Sequence, residues 1–405
     1  MNTIKTKKSR NSGFKFRSNN GSSRPSGQKR GNKKKAASSI DISQLVKKAK
    51  PTAEVKYEST RTFDDMPLDV NLKANLYEKG FRKPSQIQDE TLEYLLDNRN
   101  LIGIANTGTG KTAAFLLPII QDLLKTNNPL TALIIVPTRE LALQVETEFK
   151  SLTKGLGLFA ASFIGGTSVD KDVNQLRRKN HIIIGTPGRL KDLIDRRALR
   201  LDKIPVLVLD EFDRMLDMGF VNDIKRIVAG MENRKQTMLF SATIDKSQRE
   251  MIDSLMDNPI EIKVSAGNTS SDQVDQDIIR VSEGEDKTQV LIDLLQNGEY
   301  NKVLVFAETR RWVMKITKKL TQAGVRADQI HGDKSQNYRV NALNRFKSGK
   351  VQVLVATDVA ARGIDVTDVS HVINYSIPLT YDSYVHRIGR TGRAGKMGKA
   401  LTFVN

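Results

Sequence analysis

The chain has 405 residues and a hydrophobic content of 39%, enough for two or three domains with cores of their own. It holds no cysteine, which excludes disulfides, thiolate metal sites and a cysteine nucleophile. Its first residues lack the apolar core of a secretory signal, and no run approaches the ~18 apolar residues of a membrane-spanning helix.

The net charge of +19 is concentrated at one end, where residues 1–50 carry 15 Lys and Arg against the single acid Asp41. There Ser, Asn, Gly and Lys stand in place of apolar residues, which predicts a disordered basic tail over 1–50. Lys33, Lys34 and Lys35, with Phe14 and Phe16 upstream, suit a polyanion such as nucleic acid.

From about residue 60, short Val/Ile/Leu runs alternate with longer helical patterns, the rhythm of a mostly parallel α/β sheet. Leu101 to Ile104 leads into Ala105-Asn106-Thr107-Gly108-Thr109-Gly110-Lys111-Thr112, and Ala113 to Leu117 continues as a buried helix. This is a phosphate-binding loop between strand and helix, although Ala105 stands where the general pattern has its first Gly. Backbone amides and a helix N-terminus cradle phosphate, Lys111 adds a full charge, and the Thr112 hydroxyl can ligate magnesium.

Further strands are expected at Leu133–Val136, Ile182–Ile184, Val206–Leu209 and Met238–Phe240. Val206–Leu209 delivers Asp210, Glu211 and Asp213 at its carboxyl end. One carboxylate there can hold magnesium through water while a neighbour polarises an attacking water. Between residues 265 and 276 the apolar pattern lapses, which reads as a linker between a first domain, 51–264, and a second, 277–405. The second domain has strand candidates at Val303–Phe306, Val353–Val355, Val372–Ile373 and Leu401–Val404. Near its end, His386-Arg387-Ile388-Gly389-Arg390-Thr391-Gly392-Arg393 sets three Arg among two Gly, a spacing suited to arginine fingers.

These elements, in this order, resemble the DEAD-box RNA helicases of superfamily 2 from about Phe63 onward. Phe63, Gly80-Phe81, Pro84 and Gln86-Ile87-Gln88 are similar to the Q motif, and Asn106 to Thr112 to motif I. Pro137-Thr138-Arg139-Glu140-Leu141 matches motif Ia, Gly165-Gly166 the GG element, and Thr186-Pro187-Gly188-Arg189 motif Ib. Asp210 to Asp213 matches motif II, Ser241-Ala242-Thr243 motif III, and Val305-Phe306-Ala307 motif IV. Gln336 with Arg339, Ala356-Thr357-Asp358 through Arg362-Gly363-Ile364-Asp365, and His386 through Arg393 complete the series.

The resemblance implies two tandem RecA-like domains with ATP and Mg2+ held between them and single-stranded RNA crossing both. It assigns Phe63, Phe81 and Gln88 to adenine, and Asn106, Thr107, Gly108, Thr109, Gly110, Lys111 and Thr112 to phosphates. Thr112 and Asp210 would hold the metal, Glu211 would be the general base, and Gly363, Asp365, Arg390 and Arg393 would close the site. Asp213, linked to Ser241 and His386, would with Thr243 couple it to RNA, which Arg139, Gly166, Thr186, Arg189, Arg339, Thr357 and Arg362 would touch through phosphate and ribose.

Two residues depart from the family pattern. Phe212 replaces a small Ala in motif II and must find room behind the carboxylates, and Gln86 replaces a Pro. The chain also stops right after its last strand. The implied activity is RNA-dependent ATP hydrolysis with local duplex unwinding. An ATP-gated RNA clamp or chaperone, and a DNA helicase or translocase, are the rival readings. A cytoplasmic monomer acting on ribosomal precursors or RNA-decay complexes is the expected setting.

Overall fold

A computed structural model describes residues 40–49, 57–264, 273–296, 299–361, 369–392 and 397–404. Seven strands form the first sheet: β1 Leu101–Ile104, β2 Ala132–Ile135, β3 Ala160–Phe163, β4 Ile182–Gly185, β5 Val206–Leu209, β6 Gln236–Ser241 and β7 Ile260–Lys263, in the order β3-β4-β2-β5-β6-β1-β7. Six form the second: β8 Val274–Arg280, β9 Val303–Phe306, β10 Ala327–Ile330, β11 Val353–Ala356, β12 His371–Asn374 and β13 Gly398–Val404, in the order β10-β11-β9-β12-β13-β8. Every pairing within the two sheets is parallel.

Parallel strands need helical crossovers, which cover both faces and make the central strands apolar on both sides. Thus β2, β4, β5, β9, β11 and β12 are buried along their whole length. Each sheet has a core on either face. In the first domain, one contains Phe115, Phe149 and Phe240, and the other Leu190, Ile224 and Ile252. In the second, one contains Tyr384, Phe346 and Leu354, and the other Ile316, Leu320 and Phe403. Phe212 is 0% exposed and joins the core of Met215, Leu239 and Met251, so the room that its ring requires lies under the sheet, away from the carboxylates. Gln86 opens the helix Gln86–Leu96, and its amide donates to Glu90 Oε1 at 2.7 Å, a one-turn contact that serves where Pro would have preset the backbone.

Two expected boundaries move. The linker expected over 265–276 ends by Gln273, because β8 begins at Val274 and pairs with β13 across seven residues. Its sequence, VDQDIIR, alternates because β8 is an edge strand with one side toward solvent, so it lacks the continuous apolar run that marks a central strand. The tail expected over 1–50 ends earlier too. Asp41 accepts from the Ser43 amide at 2.8 Å and caps the short helix Ile42–Leu45, whose Leu45 is 0% exposed in the second-domain core. The expectation of a disordered tail over 1–39 falls outside the described residues, as do residues 50–56 and 265–272. Strands β3, β7 and β10 also lack a long apolar run and escape a reading by composition. No helix among the described residues is long and apolar enough to cross a membrane.

Candidate active site

The phosphate loop leaves the carboxyl end of β1 and runs into the helix Lys111–Thr126. Gly110, the helix N-cap, has φ +95°, a left-handed conformation, and a Cβ there would lie 2.7 Å from Ser85 Oγ. Gln88 fixes this approach from the next helix. Its Oε1 accepts from the Ser85 amide at 3.0 Å, and its Nε2 donates to the Gly110 carbonyl at 3.0 Å. Thr109 Oγ1 closes the loop on the Asn106 carbonyl, while Thr107 and Gly108 stay exposed. Lys111 is buried and donates to the Ala105 carbonyl at 2.8 Å, folded back across its own loop. Phe63 is 0% exposed inside the first-domain core, where burying a whole aromatic ring outweighs leaving one side wet. Phe81 is partly buried beside the same core.

Asp210 and Glu211 follow β5, and their neighbours treat them differently. Burial pushes the Asp210 carboxyl up to about 6, with Lys111 opposing and the charge of Glu211 adding. For Glu211, burial works in the same direction, but Arg214, Lys111 and Arg390 together hold it below the ordinary carboxylate range. Arg214 Nη1 donates to both Glu211 oxygens, at 3.1 and 2.9 Å. Glu211 sits at φ +53°, a conformation that costs a non-glycine residue about 1 kcal/mol and turns its side chain out of the strand line.

A magnesium ion fits this donor set. A buried carboxylate whose proton affinity is raised gains from a cation, and Thr112, which lines the same cavity, supplies a neutral hydroxyl. Among the described residues no cluster of three or more His, Cys, Asp or Glu stands where it could hold a metal ion.

Because Asp210 has a folded pKa above its unfolded value, the folded chain binds more protons than the unfolded between about pH 4 and 6. Ligand-free stability therefore falls as pH rises through that window. Asp210→Asn should raise the melting temperature by about 4–8 °C at pH 7.5, from roughly 2 kcal/mol of relieved burial cost, and the gain should shrink as pH falls toward 5. A pH-independent difference in calorimetry would remove the buried charge as its cause.

Of the two links expected for Asp213, the one to Ser241 is a hydrogen bond and the one to His386 is electrostatic. Asp213 reaches Ser241 through its backbone amide, which donates to Ser241 Oγ at 3.2 Å, while its carboxylate accepts from Thr243 Oγ1 at 3.4 Å. Ser241 Oγ donates onward to the Thr243 carbonyl at 2.6 Å. His386 sets Nδ1 3.2 Å from Asp382 on its own helix, and Asp213 acts on it through charge alone. Burial and then Arg214 lower the His386 pKa, which disfavours the charged ring. Arg390 is 5% exposed and lines a small cavity with Arg214, His386 and Asp358. Arg387 is a clamp for its helix, donating to both Asp358 oxygens at 2.6 and 2.7 Å and to the Ser376 carbonyl at 2.7 Å. Arg362, Gly363, Asp365 and Arg393 lie outside the described residues.

A cavity of about 640 Å³ opens over the loop, bounded by Thr107, Gly108, Gly110, Lys111, Thr112, Asp210 and Glu211 on one side and by Val340, Asn344 and Lys347 of the second domain on the other. Beside it stands a cluster of guanidiniums. Arg139 lies against Gly165 and Gly166, and Gly166, at φ +84°, could not carry a Cβ without striking it. Burial lowers the Arg139 pKa, and the charges of Arg339 and Arg189 lower it further, so three like charges share one region. Arg189 donates to the Thr167 carbonyl at 2.8 Å and pairs with Asp172. Arg339 pairs with Glu140 at 2.9 Å, and Gln336 Nε2 donates to Glu140 at 3.0 Å, which joins the two domains. Thr186 is the N-cap of the helix Pro187–Asp195, and the Thr357 amide donates to the Ile330 carbonyl at 3.4 Å.

Among the described residues, Arg339 Nε, Gln336 Oε1 and both ring nitrogens of His331 are buried without a hydrogen-bond partner. Each costs about 1–3 kcal/mol that a polar ligand would offset. Reading by sequence misses Glu140, Arg214 and His331. Glu140 lies within motif Ia and Arg214 directly follows motif II, but the pattern assigns neither a partner, and that of Glu140 is 196 positions away.

Residues 85–252 match the DEAD/DEAH box helicase family and residues 286–395 the helicase conserved C-terminal domain. The chain is 44% identical over 342 residues to the DEAD-box ATP-dependent RNA helicase CshA of Streptococcus pneumoniae, across 84% of this chain and 65% of that protein. It is 40% identical over 345 residues to the RNA helicase CrhR of Synechocystis sp., across 85% of this chain and 70% of that one. The chain thus spans about 65% of the length of the first of these relatives. It is also similar to S. cerevisiae Dbp5 bound to RNA and ADP BeF3, with a TM-score of 0.76 and 31% identity over 85% of this chain and 90% of that one.

Proposed function

The chain belongs to the DEAD/DEAH box helicase family, and from that premise we propose that it is an RNA-dependent ATPase that remodels short RNA duplexes or RNA–protein complexes. The observation that carries the reading is the joint cavity of phosphate loop and paired carboxylates, with Arg390 in electrostatic reach of Glu211 from the other domain. Lys111 and the loop amides bind the β- and γ-phosphates of ATP. Asp210 and Thr112 would hold magnesium, which when bound neutralises phosphate charge. Glu211, ionised and braced by Arg214, orients the attacking water and accepts its proton, and Arg390 offsets the charge on the phosphoryl group. The products are ADP and phosphate.

Arg139, Arg189 and Arg339, with Thr186 and Thr357, bind the backbone of single-stranded RNA. Backbone contacts carry no sequence information, which suits an enzyme for many RNAs. A strand bent over this surface cannot remain in an A-form helix, so ATP-driven closure separates a few base pairs locally. Steady-state ATP hydrolysis with single-stranded RNA, and with DNA of the same sequence, tests the reading. Strong stimulation by RNA alone supports it, while equal stimulation by DNA, or none by either, overturns it.

The basic residues of 1–39 add nonspecific RNA affinity in this reading. Their removal should weaken RNA binding and flatten its log–log salt dependence by about 0.7 for each phosphate no longer neutralised. An unchanged slope in fluorescence titrations would make the segment a spacer.

A further inference from the structure

The segment Ile40–Lys48 precedes the first domain in sequence yet is packed on the second. Leu45 is 0% exposed in one core with Val274, Tyr384 and Ile388. Two residues on, Lys47 adds to the edge of β8 as an antiparallel bridge, its amide donating to the Gln276 carbonyl at 3.0 Å and its carbonyl accepting from the Gln276 amide at 2.8 Å. Covering the outer edge of a sheet is reason enough for such a strand. The third contact points elsewhere. The Tyr384 hydroxyl lies 3.1 Å from Gln276 Oε1 and 3.5 Å from the Leu45 carbonyl, wholly buried between the segment and the sheet.

Tyr384 belongs to the helix Tyr381–Ile388, which carries His386 and ends two residues before Arg390. That helix has two polar anchors. Arg387 ties it to Asp358 and the Ser376 carbonyl, and Tyr384 ties it to Gln276 and the segment. The bond to Gln276 is made within the second domain and the segment roofs it, so without Leu45 the buried Tyr384 hydroxyl opens to water and the helix is freer to pivot about Arg387. Arg390 must place a planar guanidinium to within a fraction of an ångström, where a shift of about 1 Å at a reacting group can cost 10²-fold in rate.

We propose that Ile40–Lys48 is a positioning element for the reaction, holding the helix that delivers Arg390 through the contacts of Leu45 and Lys47 with Tyr384 and β8. The inference rests on the ATPase reading given above. Leu45 and Tyr384 touch neither nucleotide nor RNA and act through the helix.

The test uses the full chain with Leu45→Asp, which drives the segment off the core, and Leu45→Met, which keeps an apolar side chain of similar volume. Three readouts are taken: RNA-stimulated kcat, KM for ATP, and amide exchange at Lys47 and along Tyr381–Ile388, with the helix Arg310–Gln322 as internal reference. For Leu45→Asp the expected result is faster exchange at Lys47 and along Tyr381–Ile388, a kcat lowered about 5- to 50-fold and KM for ATP within about twofold of wild type. Leu45→Met restores kcat. Exchange that rises at Lys47 alone, with kcat intact, overturns the inference and leaves the segment as an edge cover. Loss of protection in the reference helix as well also overturns it, because the segment would then serve general stability. A wild-type chain without RNA-stimulated turnover sinks the ATPase reading and this inference with it, whereas normal turnover in released Leu45→Asp sinks this inference alone.

Discussion

Glu211→Gln should lower RNA-stimulated ATP hydrolysis by about 10²- to 10⁴-fold, the range for a lost general base, while ATP and RNA still bind. Gln conserves the volume of a side chain that is 6% exposed, and its carbonyl can still accept one bond from Arg214. What disappears is the proton acceptor and the charge that balances Arg214. A buried guanidinium stripped of its partner is costly, so the variant should also melt below wild type. Single-turnover hydrolysis separates the two effects, since chemistry is read from preformed complexes. Retained complexes of the variant with ATP and RNA would show arrest after binding, and normal turnover would remove Glu211 from the role.

Arg390→Ala should reduce kcat by about 10³-fold with much less change in the KM for ATP, because a guanidinium aimed at developing charge acts mainly on the transition state. Arg390→Lys should recover little of this, since an ammonium lacks the planar fork. A second consequence follows from charge. Arg390 is one of three cations that hold the Glu211 pKa below the ordinary range, behind Arg214 and Lys111. Removing a positive charge raises the pKa of a carboxylate, so the acid limb of the pH–rate profile should move to higher pH in Arg390→Ala. If ATP affinity collapses while bound ATP turns over normally, Arg390 is a ground-state ligand instead.

The features legible along the chain are those that depend on neighbours in sequence. The phosphate loop needs a strand, glycines at positive φ and a helix in immediate succession, and the structure has all three. The acids after β5 are delivered by a buried apolar run that any hydropathy reading finds. Features set by remote partners are legible only in part. The motif pattern links Asp213 to Ser241 and His386; the Ser241 bond is made by the Asp213 amide while its carboxylate meets Thr243, and His386 turns to Asp382 one helical turn away. The burial of Phe63 in the core is likewise set by the cost of exposing a ring, which no local pattern announces. The edge strand β8 and the segment before it escape a sequence reading because half-exposed strands alternate and a lone Leu45 carries no periodic signal.

Two parallel α/β domains, a nucleotide loop and paired carboxylates follow from 405 residues read in order, since each rests on short-range stereochemistry and on apolar runs long enough to define an element. How those parts act together does not. Glu140 accepts from Gln336 across 196 positions, at 3.0 Å, and Leu45 meets Tyr384 across 339 positions. Such contacts exist only because folding brings buried polar groups together and each must find a partner or bear the loss of water. Sequence spacing carries no record of that search, so the charges that Lys111 and Arg390 bring to Glu211 and the seating of the Arg390 helix were settled by the tertiary structure alone.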